Sequence, residues 1–527
     1  MKKLLVFILI SGLVFFTNCN PDLVDEPPLG QTENTFFTNV IEFRQNVATV
    51  YSTLFDYYHF AAPSFNFNGW PQSTWLLPGD DLTETQGART AVELFDGSLN
   101  PNNTQIRWTF EASYKMIGRA NVTIDKVRTI DYSSFEGASE IAQMEGEALF
   151  LRGYAYYKLF NLYGNVPVVA DRILTEDQTN TPKSTSAEVL DQVIADMRAA
   201  LEILPDSWDP EFAGRVTKNS ARGFLVKSLV MRANYFGSDA DYSEALTIFN
   251  SIDAELVDNY IDNFSAFTEN NDESLFEVQA TAPGSGNNNL VLHHDGAWRG
   301  VENMSVYRGY FMEAGSEGAF NGFVATRFLV TDKLFNTSNG DPRIDIFTNA
   351  DDGLDGKLFQ KYHYPLGVNE ITGFHGGSAN NERILRYADA LLLAAEAALK
   401  TGATSEAIGY INQVRTRARN WAANEGIGDG TMPADYSTSE SDAATIMQWI
   451  MDERFIELAG EGQRWFDLKR WHQAGDIDLT GWDGSDDNFS TALASPVQFD
   501  VNKHFLFPLP QQEVERNSAI IENNPGY

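Results

Sequence analysis

Glu453 and Glu461 are the sharpest acid/base candidates in this sequence: on a helix they would sit about two turns apart. A carboxylate pair flanking a glycosidic bond is the machinery of glycoside hydrolysis. Each, however, has an arginine close by in sequence, Arg454 and Arg464, so an ion-paired structural network is the preferred reading. His293 and His294 are metal-ligand types, but no third ligand is evident and a surface loop pair explains them more simply. The run Asn349-Ala350-Asp351-Asp352-Gly353-Leu354-Asp355-Gly356 is like a short acidic calcium loop, without the spacing and terminal Glu of an EF-hand. A solvated turn is preferred there, and a structural calcium is the one cofactor left open. The sequence has no Gly-x-Ser-x-Gly elbow, no His-Glu-x-x-His helix, no Walker loop and no dinucleotide-binding glycine fingerprint. No catalytic residue is assigned, and the expectation is a protein that is not an enzyme.

The single cysteine, Cys19, follows Lys2, Lys3 and an apolar run from Leu4 to Phe16. A charged start before a short apolar stretch is the pattern of an export signal, and this run is too short to span a bilayer. Phe16-Thr17-Asn18-Cys19 resembles a bacterial lipobox, with Phe16 and Asn18 where Leu and a small residue are commoner. Residues 1–18 are therefore read as a signal peptide and Cys19 as the lipidated residue. A polar, proline-containing tether and N-terminal segment, 19–40, follows. No later apolar run is long enough to cross a membrane.

Lys plus Arg number 38 against 73 acids, a formal net charge of −35. So acidic a surface repels polyphosphate and anionic lipid, which argues against nucleic acid as a partner. Aromatics form 13% of the chain; many must be core, and those in irregular segments need another reason.

The elements that must position these groups are mostly helices. Ile141, Met144, Ala148, Leu151, Ala155, Leu159 and Leu162 recur at steps of three and four until Gly164-Asn165-Val166-Pro167. Thr185 and Glu188 form a capping box ahead of the stripe Leu190, Val193, Met197, Leu201 and Leu204. Ala221, Leu225, Leu229 and Arg232 mark a third helix, and Tyr242, Ala245, Phe249 and Ile252 a fourth. A second helical block begins with Ile384, Tyr387, Ala388, Leu391, Ala395 and Ala398, stops at Gly402, and restarts with Ala407, Ile411, Val414 and Ala418. Such helix–turn–helix units look like degenerate tetratricopeptide repeats. Between the blocks, Asn259 to Arg383 lacks sustained periodicity and predicts loops and few short strands, for instance at 274–279. Ala61 to Thr104 is similarly irregular. Two regions result, 41–257 and 258–527.

Three segments of the second block occur in a telling order. They are Arg386-Tyr387-Ala388-Asp389-Ala390-Leu391-Leu392, then Ile411-Asn412-Gln413-Val414-Arg415-Thr416-Arg417-Ala418, then Glu453-Arg454 with Glu461-Gly462-Gln463-Arg464-Trp465-Phe466-Asp467-Leu468-Lys469-Arg470-Trp471. The chain closes with Phe507-Pro508-Leu509-Pro510 and Asn523-Asn524-Pro525-Gly526-Tyr527. Together with Trp108 to Asn121 and Arg152 to Pro167, these resemble the SusD/RagB family of outer-membrane nutrient-binding lipoproteins over nearly the whole chain. The resemblance implies a mostly α fold of tetratricopeptide-like helical pairs with an irregular, ligand-facing portion. It implies a lipid-anchored protein on the extracellular face of the outer membrane, partnered with a SusC-like TonB-dependent transporter that imports captured glycan.

A sugar ring offers an apolar C–H face and a hydroxyl rim, so flat aromatics with neighbouring polar side chains are what such a protein needs. Candidate ligand contacts are Trp70, Trp75, Asp81 and Arg89 in the first irregular stretch and Trp298 and Tyr307 in the second, with Trp482 a weaker choice. Trp108, Trp465 and Trp471 are assigned to structure. The rival readings are the same complex with peptide cargo, a surface glycoside hydrolase, and a tetratricopeptide-type protein scaffold.

Overall fold

The computed structural model describes residues 33, 35–57, 71–84, 91–279, 323–325, 329, 340–344, 361, 380–484 and 497–527. Among them helices dominate and strands are short. The longer helices are α1 (Val40–Tyr51), α2 (Thr104–Thr129), α3 (Ala138–Tyr163), α4 (Ser186–Ile203), α5 (Lys218–Phe236) and α6 (Asp239–Phe249) in the first block. The second block supplies α7 (Tyr387–Lys400), α8 (Thr404–Glu425), α9 (Ala443–Glu457) and α10 (Arg464–Ala474).

Local chemistry fixes the helix ends. The Thr185 hydroxyl accepts from the Glu188 N–H while the Glu188 carboxylate accepts from the Thr185 N–H, so the expected capping box opens α4. Gly164, at φ +67°, closes α3 by donating back to the Leu159 and Phe160 carbonyls. The apolar stripe read along α3 understates its burial: nearly every side chain from Gly146 to Tyr163 is buried. Burial on every side puts α3 inside the fold, with Glu147, Arg152 and Lys158 buried among its apolar side chains. α3 lies between α2 and α4, and Gly153 admits α4 closely, since a Cβ there would lie 2.8 Å from Met197 Cε.

Each helix from α1 to α9 packs on its sequence neighbour, α6 stacking on α7 to join the two halves across the irregular middle, and α10 packs on α5. This is the expected succession of helical pairs. One apolar core runs through it, and a smaller cluster of Phe37, Phe43, Val47, Val127, Ile141 and Met144 holds α1 to α2 and α3.

The strands form two antiparallel pairs. β1 (Leu82–Glu84) pairs with β3 (Phe323–Ala325), Leu82 opposite Ala325. β2 (Ser274–Val278) pairs with β4 (Glu382–Arg386), with register shifts around Phe276. β2 lies where short strands were expected. Ile384, read as the first helical residue of the second block, instead belongs to β4, and α7 starts at Tyr387. The spacing from Ile384 to Tyr387 imitates a helical step, but pairing with β2 holds the backbone extended. Ile252 likewise lies beyond the end of α6. No helix among the described residues is long and apolar enough to cross a membrane.

Candidate functional site

The two irregular stretches that carry the candidate aromatics are brought together by β1 and β3, one strand from each. What seats them on the helices is charge. In the turn from α9 to α10, Gly460 and Gly462 take φ of +72° and +73°, which glycine adopts without strain. Glu461 in that turn accepts from Arg386 Nε and Nη2, both at 2.8 Å, and from Lys361. Glu457 accepts from Arg417 Nη2 at 2.6 Å and from Arg386 and Arg343 at 3.1 Å. Glu453 takes Arg343 Nη1 at 2.7 Å and Arg415 Nη1 at 2.9 Å. Glu273, just ahead of β2, bridges Arg386 and Arg417, and Asp341 holds Arg343.

Five cations (Arg343, Lys361, Arg386, Arg415, Arg417) therefore meet five carboxylates (Glu273, Asp341, Glu453, Glu457, Glu461). Almost all are buried. Desolvation penalises each charge, and dense opposite charge with hydrogen bonding compensates. The facing guanidinium groups overcome burial and hold Glu457 down at about 2, and Glu461 is lowered in the same way by Arg386 and Lys361. Burial pushes Lys361 down to about 8, opposed by Glu461, so the pair is ionic at neutral pH.

Glu453 and Glu461 are thus ion-pair partners with their oxygens committed to cations, the reading preferred from sequence. Their partners differ from the adjacent arginines expected. Arg454 lies beside Asp467 and Asp389, because consecutive helical residues point about 100° apart, and Arg464, at the start of α10 beyond the turn that carries Glu461, lies beside Asp80.

The segment 71–84 rests on the same turn. Arg464 embraces Asp80, with Nη2 2.9 Å from Oδ2, and Asp81 Oδ2 accepts from the Gly460 N–H at 2.9 Å. Burial raises Asp81 to about 6 against the opposing Gly460 hydrogen bond. Trp75 abuts Gly462, where a Cβ would lie 2.6 Å from Trp75 Cδ1, and Lys158 Nζ lies 3.8 Å from the centre of its ring. Burial pushes Lys158 down to about 7.

Two family profiles match the chain: the SusD family over residues 333–527, and "Starch-binding associating with outer membrane" over residues 36–229. The chain belongs to the SusD family. SusD-like protein P2 of Formosa agariphila is 28% identical over 480 residues, covering 86% of this chain and 87% of the relative. A SusD homolog from Bacteroides thetaiotaomicron superposes with TM-score 0.72 at 22% identity, covering 94% of this chain and 99% of the other. A laminarin-binding SusD-like protein superposes with TM-score 0.70 at 21% identity, covering 93% and 100%. These solved structures share the mostly helical fold described above.

Within this SusD-family fold, the six sequence candidates separate. Trp75 and Asp81 are buried, with 4% and 2% of their surface exposed, and face the α9–α10 turn. The loop reading of Trp75 is corrected on that point: a short helix, Ser73–Leu76, carries it into the core against Tyr57, Lys158 and Gly462. Trp70, Arg89, Trp298 and Tyr307 lie outside the described residues, as do Cys19, His293, His294 and the 349–356 run. Among the described residues no cluster of His, Cys, Asp and Glu could hold a metal ion. Trp465 and Trp471 are core residues, Trp108 is half-buried, and Trp482 is half-buried against Trp465 and Phe499.

Sequence reasoning missed Arg343, Lys361, Lys158 and Glu273. Lone charges in irregular or apolar surroundings carry no periodic signal. Arg386, Arg417 and Glu457 stood inside or beside motifs already noted, and their burial was the missing fact.

Proposed function

We propose that this chain is a cell-surface glycan-binding lipoprotein that captures oligo- or polysaccharide and delivers it to a SusC-like TonB-dependent transporter. The observation that carries this reading is the β1–β3 pairing, which ties a strand of the first irregular stretch to a strand of the second. Family membership and the laminarin-binding relative of the same fold support glycan as the ligand class. Trp70, Arg89, Trp298 and Tyr307 are the proposed contacts, aromatic faces for sugar C–H surfaces and a guanidinium for the hydroxyl rim. Trp75 and Asp81, buried against the α9–α10 turn, serve as positioning residues.

The proposed layout keeps residues 1–18 as signal peptide, Cys19 as lipid attachment, 19–40 as tether, and 41–257 and 258–527 as the two regions. A lipid anchor on the outer membrane keeps such a protein beside its transporter without a membrane span.

Calorimetric titration of the protein lacking residues 1–19 against a glycan panel tests the reading. Binding to at least one neutral glycan without release of reducing ends is expected. Binding to peptides alone would move the cargo to that class, and glycan cleavage would overturn a purely binding role. In a glycan that binds, Trp298→Ala should weaken affinity by about 1–3 kcal/mol, the scale for one large apolar side chain, with unchanged helicity.

A further inference from the structure

Asp81 and Lys361 grip the two ends of one peptide group. The Ala459 carbonyl accepts from Lys361 Nζ at 3.2 Å, and the N–H of the same peptide unit, on Gly460, donates to Asp81 Oδ2 at 2.9 Å. In a trans peptide these groups point in opposite directions, so the grips come from opposite sides. Lys361 also holds the Glu457 carbonyl at 2.7 Å and the Glu461 carboxylate, which ties it to both flanks of that peptide. Gly460, at φ +72° and without a Cβ, gives the peptide little resistance of its own to rotation. Its orientation therefore depends on the two ionic side chains, one from the 71–84 segment and one from the irregular middle.

We propose that the Ala459–Gly460 peptide is a coupling element through which the 71–84 segment and the segment bearing Lys361 hold each other in place. Hydrogen bonds in series polarise one another, and the amide here sits between a cation and a carboxylate in buried surroundings. Removing Lys361 frees the carbonyl to turn, which takes the N–H away from Asp81. Removing Asp81 does the reverse to Lys361. The 71–84 segment and Lys361 are thus held together through this peptide. The inference deepens the capture reading, since 71–84 lies between the proposed contacts Trp70 and Arg89 in sequence, but it is tested without ligand.

Hydrogen–deuterium exchange on the ligand-free protein reads the coupling in both directions. Lys361→Met should speed exchange in peptides covering 71–84 by about tenfold, within the range usual for coupled sites. Asp81→Ala should do the same to peptides containing Lys361, while Asp81→Asn, which keeps an oxygen acceptor, should restore slow exchange. Changes confined to each variant's own segment, below about fivefold at the other, would overturn the proposal. If Lys361→Met does not fold, Asp81→Ala and Asp81→Asn decide it alone. Calorimetry with the wild type separates the two ideas: failure to bind any glycan removes the capture reading and leaves the exchange result standing.

Discussion

Arg152 on α3 and Arg386 at the end of β4 are both almost fully buried, yet they are held differently. Arg152 has one acidic partner, Asp196, in a two-pronged contact at 2.9 and 2.6 Å, supplemented by Asn121. Arg386 is shared by Glu273, Glu457 and Glu461, which also serve Arg417, Arg343 and Lys361. A pair suffices where two regular helices, α3 and α4, already meet through an apolar face. A network appears where a helix end, a tight turn, a strand and isolated residues of irregular chain must be tied together. The strands and α9 also bury apolar side chains, but apolar burial is not directional, so ionic contacts supply the placement of the turn and of Arg343 and Lys361. Such a network stabilises only while complete, because an orphaned buried charge is costly.

Four experiments would break or sharpen that contrast. The largest effect is expected for Arg386→Ala, which takes one cation from each of three buried carboxylates at once: denaturant unfolding should show a loss at the upper end of about 3–5 kcal/mol. Arg152→Ala should fall at the lower end. Equal losses would mean that the sharing of partners adds nothing.

Acid comes next. Glu457 and Asp389 are held at about 2, against ordinary values of 4.5 and 3.8. Groups whose folded values are depressed contribute stability that is complete above the ordinary value and disappears as pH falls toward the folded one. Asp81, raised to about 6, acts oppositely: its contribution is present below 3.8 and lost as pH rises through 6. Because Glu461 and Glu396 are also lowered, the melting temperature should fall steadily between pH 4.5 and 2. A flat profile there would contradict the ionic reading.

Gly462→Ala is the third. It places a Cβ against Trp75 at φ +73°, and left-handed strain with overpacking should cost about 1–3 kcal/mol. Loss of protection should be concentrated in 71–84 by hydrogen exchange. The smallest effect is expected in the regular half, where Thr185→Ala removes the α4 cap for about 1 kcal/mol and leaves exchange around the α9–α10 turn unchanged.

Much of the helical half was legible because helices write their packing into local sequence. The α3 stripe, its Gly164 stop and the Thr185–Glu188 box all appear in the structure where the spacing put them. The candidate site was legible only in part. Trp75 lies in a stretch without periodicity, which predicts a loop, although one turn of helix carries it into the core. The Glu453–Glu461 reading succeeded in kind but not in partners, because local charge adjacency does not predict which groups meet across the fold.

The sequence by itself determined the mostly helical pairing, the capped ends, the strongly acidic balance and the ordered motifs that mark the SusD family. Each is a matter of residue type and short-range spacing. Only the tertiary structure decided that Arg343 and Lys361 meet Glu453, Glu457 and Glu461 roughly a hundred residues away, and that Asp81 reaches Gly460 across most of the chain. Such meetings depend on how whole elements stack, since a buried charge selects its partner by position in space, and position is fixed by the collective packing of helices that share no local signal with it.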